Sequence, residues 1–173
     1  MDKAYYLEYF HLERDHWWFR ARSNMLQIMI TSLQLRQPVS ILNVGAATGA
    51  SSDMLGKFGS VVSLEYDKDC CAFVKDKLGI DFINASITEL PFSDEAFDVV
   101  CAFDVIEHVA DDVMAVKELM RVCKREGYIL TTVPAYRFLW SHHDVVNQHM
   151  RRYTKKEFKK LFMQSTTTTY SGY

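Results

Sequence analysis

Three groups of residues in this 173-residue chain have types and spacing that could do chemistry. The first is Gly45-Ala46-Ala47-Thr48-Gly49, with Glu65 twenty positions after Gly45. A run of small residues lets a ligand approach the backbone closely, and glycine takes backbone angles closed to other residues. A carboxylate at the tip of the next strand accepts hydrogen bonds from both hydroxyls of a ribose. Together they predict a site for a nucleoside-containing cofactor. The second group is Asp104, Glu107 and His108, all within five positions. A histidine titrates near neutral pH and suits proton acceptance, although a loop histidine also serves as a plain structural hydrogen-bonder. The third group follows Pro134. Its His142, His143, Asp144 and His149 are of metal-ligating type, but no metal is assigned to them. His149, Arg151, Arg152 and Tyr153 suit an anionic acceptor, or else a surface loop whose arginines pair with nearby acids.

These groups need elements to hold them. Ile41, Leu42 and Val44 form a short apolar run, which predicts a buried strand ahead of the small-residue turn. A helix over 51–58, ended by Gly59, completes a strand–turn–helix unit. Further strands are expected at 61–65, 81–84, 97–103 and 128–133. Helices are expected at 69–78, ended by Gly79, and at 111–122, where Val113, Val116, Leu119 and Met120 share a face. Glu126-Gly127 should break the second of these, and Pro134 should end the fifth strand. Thr154 with Glu157 reads as a capping box for a helix over 155–163. Strands alternating with helices predict an α/β fold, a doubly wound, mostly parallel, Rossmann-like sheet.

Upstream lie Tyr5, Tyr6, Tyr9 and Phe10, then His16-Trp17-Trp18-Phe19. Leu26, Met29, Ile30 and Leu33 recur at helical spacing and predict a helix over 19–35, closed by Pro38. Residues 1–37 are expected to form a helical lid, and residues 38–173 the cofactor-binding domain. The aromatics then either pack on that domain or cover its site, and a lid does both. The threonine run in Gln164–Tyr173 has strand propensity and is a candidate sixth strand.

Composition bounds the function. The chain is 49% hydrophobic with a net charge of −2. That supports one cored domain and gives no basic excess for nucleic acid. No apolar run is long enough for stable membrane insertion, and the N-terminus does not read as a signal peptide. A cytoplasmic protein is expected, with Cys70, Cys71, Cys101 and Cys123 as free thiols. Ser51 and Ser52 have no lysine before them, which counts against a nucleotide triphosphate loop.

The stretch Ile41-Leu42-Asn43-Val44-Gly45-Ala46-Ala47-Thr48-Gly49 resembles the first motif of the class I S-adenosylmethionine-dependent methyltransferases. Residues 90–100 and Val105-Ile106-Glu107-His108-Val109 are similar to the small-molecule branch, which includes ubiquinone- and sterol-type methyltransferases. The His-Trp-Trp-Phe stretch is similar to a bacterial subset. The resemblance implies S-adenosylmethionine as cofactor, a small-molecule methyl acceptor and a sheet of seven strands, so with a candidate sixth strand at 164–173 the sheet is expected to stop before its last strand or strands. It implies cofactor contacts at Asn43, Gly45, Ala46, Ala47, Gly49, Glu65, Tyr66, Ser86, Ile87 and Phe103. It makes Asp104 and His108 catalytic candidates, and puts Trp17, Trp18, His149, Arg152 and Tyr153 around the acceptor. Asn43 stands where the family usually has an acid, Ala47 where it often has a third glycine, and Ser86 where aspartate is common. These departures motivate a second reading, a relative that binds the cofactor without turnover. A third, an NAD-dependent oxidoreductase, rests on Gly45 and Glu65 and is opposed by the glycine spacing. A homodimer is compatible with any of the three.

Overall fold

The structure is a computed structural model and describes residues 3–163. Two helices lead, α1 (Lys3–Asp15) and α2 (Trp17–Ser32). The strands are β1 (Ser40–Val44), β2 (Ser60–Glu65), β3 (Ile83–Asn84), β4 (Phe97–Phe103) and β5 (Cys123–Thr132). Between and after them come α3 (Ala50–Leu55), α4 (Lys68–Leu78), α5 (Asp112–Val122), α6 (His142–Val146) and α7 (Lys155–Phe162). The strands form one sheet in the order β3-β2-β1-β4-β5, and every pairing is parallel. The chain runs outward from β1 to β3, then returns to the other side of β1 as β4. The ends of β1, β2 and β4 therefore flank the point where the strand order reverses, the usual ligand crevice of such sheets.

Successive strand side chains point to opposite faces, and both faces here are covered. On one, Leu42, Val44, Val100 and Ala102 pack with Val116, Leu119 and Val122 of α5 and with Phe162 of α7. On the other, Ile41, Val99, Cys101 and Phe103 pack with Leu26 and Ile30 of α2 and Met54 and Leu55 of α3. Burying each such aliphatic side chain contributes about 1.5–3 kcal/mol. Two-sided burial is why β1 and β4 read as apolar runs and not as alternating patterns.

Several boundaries differ from the expectation. β5 begins at Cys123, five residues early, because α5 ends at Val122 and the chain turns straight into the sheet edge. Its register against β4 is irregular between Phe97 and Val99. Gly127 sits at this irregularity, where a Cβ would lie 2.7 Å from the Asp98 carbonyl oxygen and 2.9 Å from Cys123 Sγ. The glycine is thus a close-approach residue inside a strand and not a helix breaker. α3 ends at Leu55, before the expected Phe58, and β3 is only Ile83–Asn84. The helical segment expected over 1–37 is two helices, α1 and α2, and in α1 Tyr5, Tyr6, Tyr9 and Phe10 carry the i, i+4 spacing that marks one. The candidate sixth strand lies outside the described residues. Among those residues, no helix is long and apolar enough to cross a membrane.

Candidate functional site

The turn after β1 is built by backbone geometry. The Leu64 carbonyl accepts from the N–H of Gly45 (2.8 Å) and of Ala46 (3.0 Å), which pulls the turn against the end of β2. Gly45 has φ +68°, and a Cβ on it would lie 2.4 Å from Val105 Cγ2 on the loop after β4. Position 45 therefore requires glycine on two counts, backbone angle and space. Ala47 also has positive φ, +46°. Its N–H donates to Glu65 Oε2 (3.0 Å), while Asp67 N–H donates to Glu65 Oε1 (3.0 Å). Each carboxylate oxygen has further acceptor capacity beyond that one bond. Asn84 Nδ2 fixes the same strand tip by donating to the carbonyls of Glu65 (3.0 Å) and Tyr66 (2.7 Å).

Behind the turn is a small polar network. Asn43 is buried, and its Nδ2 donates to the hydroxyls of Ser51 and Ser52, each at 2.9 Å. Ser52 Oγ in turn lies 2.7 Å from Ser63 Oγ. Asn43 Oδ1 is buried with no hydrogen-bond partner among the described residues. A buried acceptor left unpaired costs about 1–3 kcal/mol, so this end of β1 is prepared for a polar group.

α1 and α2 close over the crevice. Tyr6 is buried and its hydroxyl donates to Asp67 Oδ2 (2.7 Å). Arg14 Nη2 donates to the Thr48 carbonyl (3.2 Å) and pairs with Asp53 (3.0 Å), and the Thr48 hydroxyl donates to Glu13. α1 thus grips both loops that frame the crevice. From α2, Arg22 pairs with Asp104 (2.5 Å) and donates to Thr132 Oγ1 (3.0 Å). Its guanidinium also lies 5.8 Å from the Phe103 ring and 5.6 Å from the Trp18 ring. Glu13, Arg14 and Arg22 are neighbours of the crevice that the residue patterns do not reveal, because their partners are more than thirty positions away; Tyr6 is legible only as one of the upstream aromatics.

The loop after β4 holds the titratable groups. Asp104 has φ +54°, and its second oxygen accepts from Thr132 Oγ1 (2.8 Å). Glu107 is completely buried, and neither carboxylate oxygen has a hydrogen-bond partner among the described residues. Burial, and then the Asp104 charge, push its carboxyl up to about 8. His108 is exposed at its edge, and its ring meets the His149 ring edge-on at 4.7 Å. Burial, then His149, lower its pKa, so the ring is neutral near pH 7. His149 Nδ1 lies 2.9 Å from Asp144 Oδ1. Asp144, wholly buried, also accepts from Arg152 Nε (2.7 Å) and Nη2 (2.9 Å) and from the Ser141 N–H (2.7 Å). Arg152 first, with Ser141 and His149, holds the Asp144 carboxyl well below the usual range.

The remaining candidates fall into two sets. Near the crevice, Ala46 and Phe103 are buried, Tyr66 is 77% exposed beyond Glu65, and Ile87 is buried just after β3. The Ser86 hydroxyl is 2.8 Å from Thr88 Oγ1, within its own turn. Gly49 N-caps α3. Of three other candidates, one is exposed and two are bonded to neighbouring elements. Trp17 is 71% exposed beside His16. Arg152 is committed to Asp144 and the Ala135 carbonyl. Tyr153 is buried and donates to Asp112 on α5 (2.8 Å). His142 and His143 are exposed; the His143 ring meets the His149 ring edge-on at 6.1 Å, but among the described residues the ligand atoms that converge are those of Glu107, His108 and His149.

Comparison with known proteins bears on the family and the fold. A family model described as "Methyltransferase domain" matches residues 42–131. A Mycobacterium tuberculosis protein named "Probable S-adenosylmethionine-dependent methyltransferase" is 28% identical over 125 residues, covering 71% of this chain and 44% of its own. A demethylmenaquinone methyltransferase of Clavibacter sepedonicus is 32% identical over 95 residues, 52% of this chain and 39% of that one. The chain therefore spans less than half the length of these curated relatives. Among solved structures, the YcgJ protein from Bacillus subtilis superposes with a TM-score of 0.67 at 20% identity, over 83% of this chain and 67% of its own.

Proposed function

This chain belongs to the methyltransferase domain family, and from that premise we propose that it binds S-adenosylmethionine over the Gly45–Gly49 turn and transfers its methyl group to a small molecule. The observation that carries the reading is the Glu65 carboxylate, held at the tip of β2 by the N–H groups of Ala47 and Asp67. It retains the acceptor capacity that two ribose hydroxyls need. The buried, unpartnered Asn43 Oδ1 fits a polar group of the cofactor at the end of β1. Tyr66 and the Ile87 N–H are the proposed adenine contacts.

The bound cofactor supplies a methyl group on a cationic sulfonium. The protein's part is alignment, exclusion of water and charge placement. Asp104, fixed by Arg22 and Thr132, holds a negative charge beside the end of β4. Phe103 adds an aromatic wall, which suits a cation. α1 and α2 cover the crevice through Tyr6, Arg14 and Arg22, which limits water. His108, whose pKa burial lowers, is the proposed proton acceptor for the methyl acceptor.

The acceptor is proposed as a small molecule on the strength of the demethylmenaquinone methyltransferase relatives and the −2 net charge. The test is transfer from methyl-labelled S-adenosylmethionine to the small-molecule fraction of a cell extract. The reading predicts label in that fraction. Cofactor binding with label that never leaves it contradicts turnover and favours the binding-only alternative, which rests on Asn43, Ala47 and Ser86.

A further inference from the structure

Glu107, His108 and His149 each offer one ligand atom, and these atoms lie within 4.8 Å of one another. We propose that they form a binding site for a divalent first-row cation such as zinc, at the carboxyl end of β4.

Three independent features support a site. First, Glu107 is a fully buried carboxyl with no hydrogen-bond partner among the described residues. A buried ionisable group is ordinarily paired or ligates a metal, because an unpaired one is costly. Second, His149 is oriented for ligation. Its Nδ1 lies against Asp144 Oδ1 at 2.9 Å, which leaves Nε2 for an ion. A carboxylate on the far nitrogen is the usual support of a metal-binding histidine. Asp144 is itself locked by Arg152 and Ser141, so the support is rigid. Third, the two histidines are brought together across forty-one positions by a backbone bond, Met150 N–H to the Glu107 carbonyl at 2.9 Å. The same bond ties the segment after α6 to the loop after β4.

Two imidazoles and one carboxylate suit zinc or a neighbouring first-row ion better than magnesium or calcium, which favour all-oxygen cages. Three protein ligands leave a coordination position open, as in catalytic sites and unlike closed structural ones. The exposed edge of His108 gives access to it. If the methyl-transfer reading above holds, an oxygen of the acceptor takes that position. The site lies on the same loop as Val105, which packs on Gly45. In this role the His108 lone pair holds the ion instead of taking a proton.

The test is calorimetric titration of the whole chain with zinc, repeated with cobalt while recording its visible absorption. The site predicts one ion per chain and a cobalt spectrum typical of low-coordinate nitrogen and oxygen ligation. Glu107→Gln and His149→Ala should each weaken binding by at least about 100-fold, and Asp144→Asn by about 10–100-fold. Exposed His142→Ala should leave it unchanged. Glu107→Gln is nearly isosteric, and thermal melting without metal confirms that it folds. Zinc that does not bind the folded chain, or that binds Glu107→Gln and His149→Ala as tightly as the parent, overturns the proposal. Neither readout involves S-adenosylmethionine, so a failure here is separable from a failure of the cofactor assignment.

Discussion

Glu65 does two jobs at the residue scale: it braces the turn through Ala47 and the β2–α4 loop through Asp67. Under the proposed function it also receives the ribose. Glu65→Ala should therefore weaken S-adenosylmethionine binding by at least tenfold in calorimetry while the chain stays folded by circular dichroism; unchanged affinity would remove Glu65 from the site. Gly45 makes a sharper steric prediction. Gly45→Ala places a methyl 2.4 Å from Val105 Cγ2 at φ +68°. The loss should be about 1–3 kcal/mol in denaturant unfolding. Val105→Ala in the same chain should recover part of it, because only the clash is relieved and the backbone angle is not. These two residues were legible in the sequence because a glycine after an apolar run and an acid at a strand end are local signals. Glu107 was legible only as one acid in a loop. That neither of its carboxylate oxygens has a hydrogen-bond partner among the described residues is a property of the fold.

The N-terminal helix pair is the informative unit at the scale of elements. α2 is as much a layer of the fold as a cover, because Leu26 and Ile30 lie in the core beside Ile41 and Val99. The covering contacts come from α1 and from Arg22 at the start of α2. Arg22→Ala should free that end, seen as faster amide hydrogen exchange over 3–22 with Leu26 and Ile30 still protected. Uniform protection in the variant would mean that α1 docks without it. A second element-level device aligns the strands at their amino ends. Asp98 accepts from the Ser40 N–H (2.9 Å) and hydroxyl (2.6 Å) and pairs with Lys124 (2.7 Å), joining β4 to β1 and β5. Lys124, then Ser40, hold its carboxyl at about 2, below the ~3.9 of an unfolded chain. A depressed folded value means the contribution is complete above about pH 4 and is lost as pH falls toward 2. With the side chain about a third exposed, the contribution is about 1 kcal/mol. Asp98→Asn should flatten the stability profile across that interval; an unchanged acid limb would contradict the pairing. Helix positions were readable from period and caps, as at Thr154–Glu157. The early start of β5 was not, because the strand's first residues owe their state to pairing with β4 and not to their own pattern.

At the scale of the whole molecule, the carboxyl ends of the parallel strands gather the groups of both proposed sites. The turn after β1, the tip of β2, the loop after β4 and the segment after α6 come from four separate stretches of chain. The alternation of strands and helices made the sheet and its ligand end legible in the sequence. The lid contacts and the Glu107–His108–His149 cluster were not, since they depend on how distant loops meet once the sheet has formed. A ligand that bridges these stretches should stabilise all of them together, so the melting temperature should rise with its concentration.

The central claim is that these strand ends bind S-adenosylmethionine, and its most direct test is calorimetric titration of the purified chain with S-adenosylmethionine and S-adenosylhomocysteine, with NAD as the control. The account predicts one-to-one binding of both in the micromolar range, about −8 kcal/mol, and none of NAD. A folded chain that binds neither, or that binds NAD in their place, contradicts it.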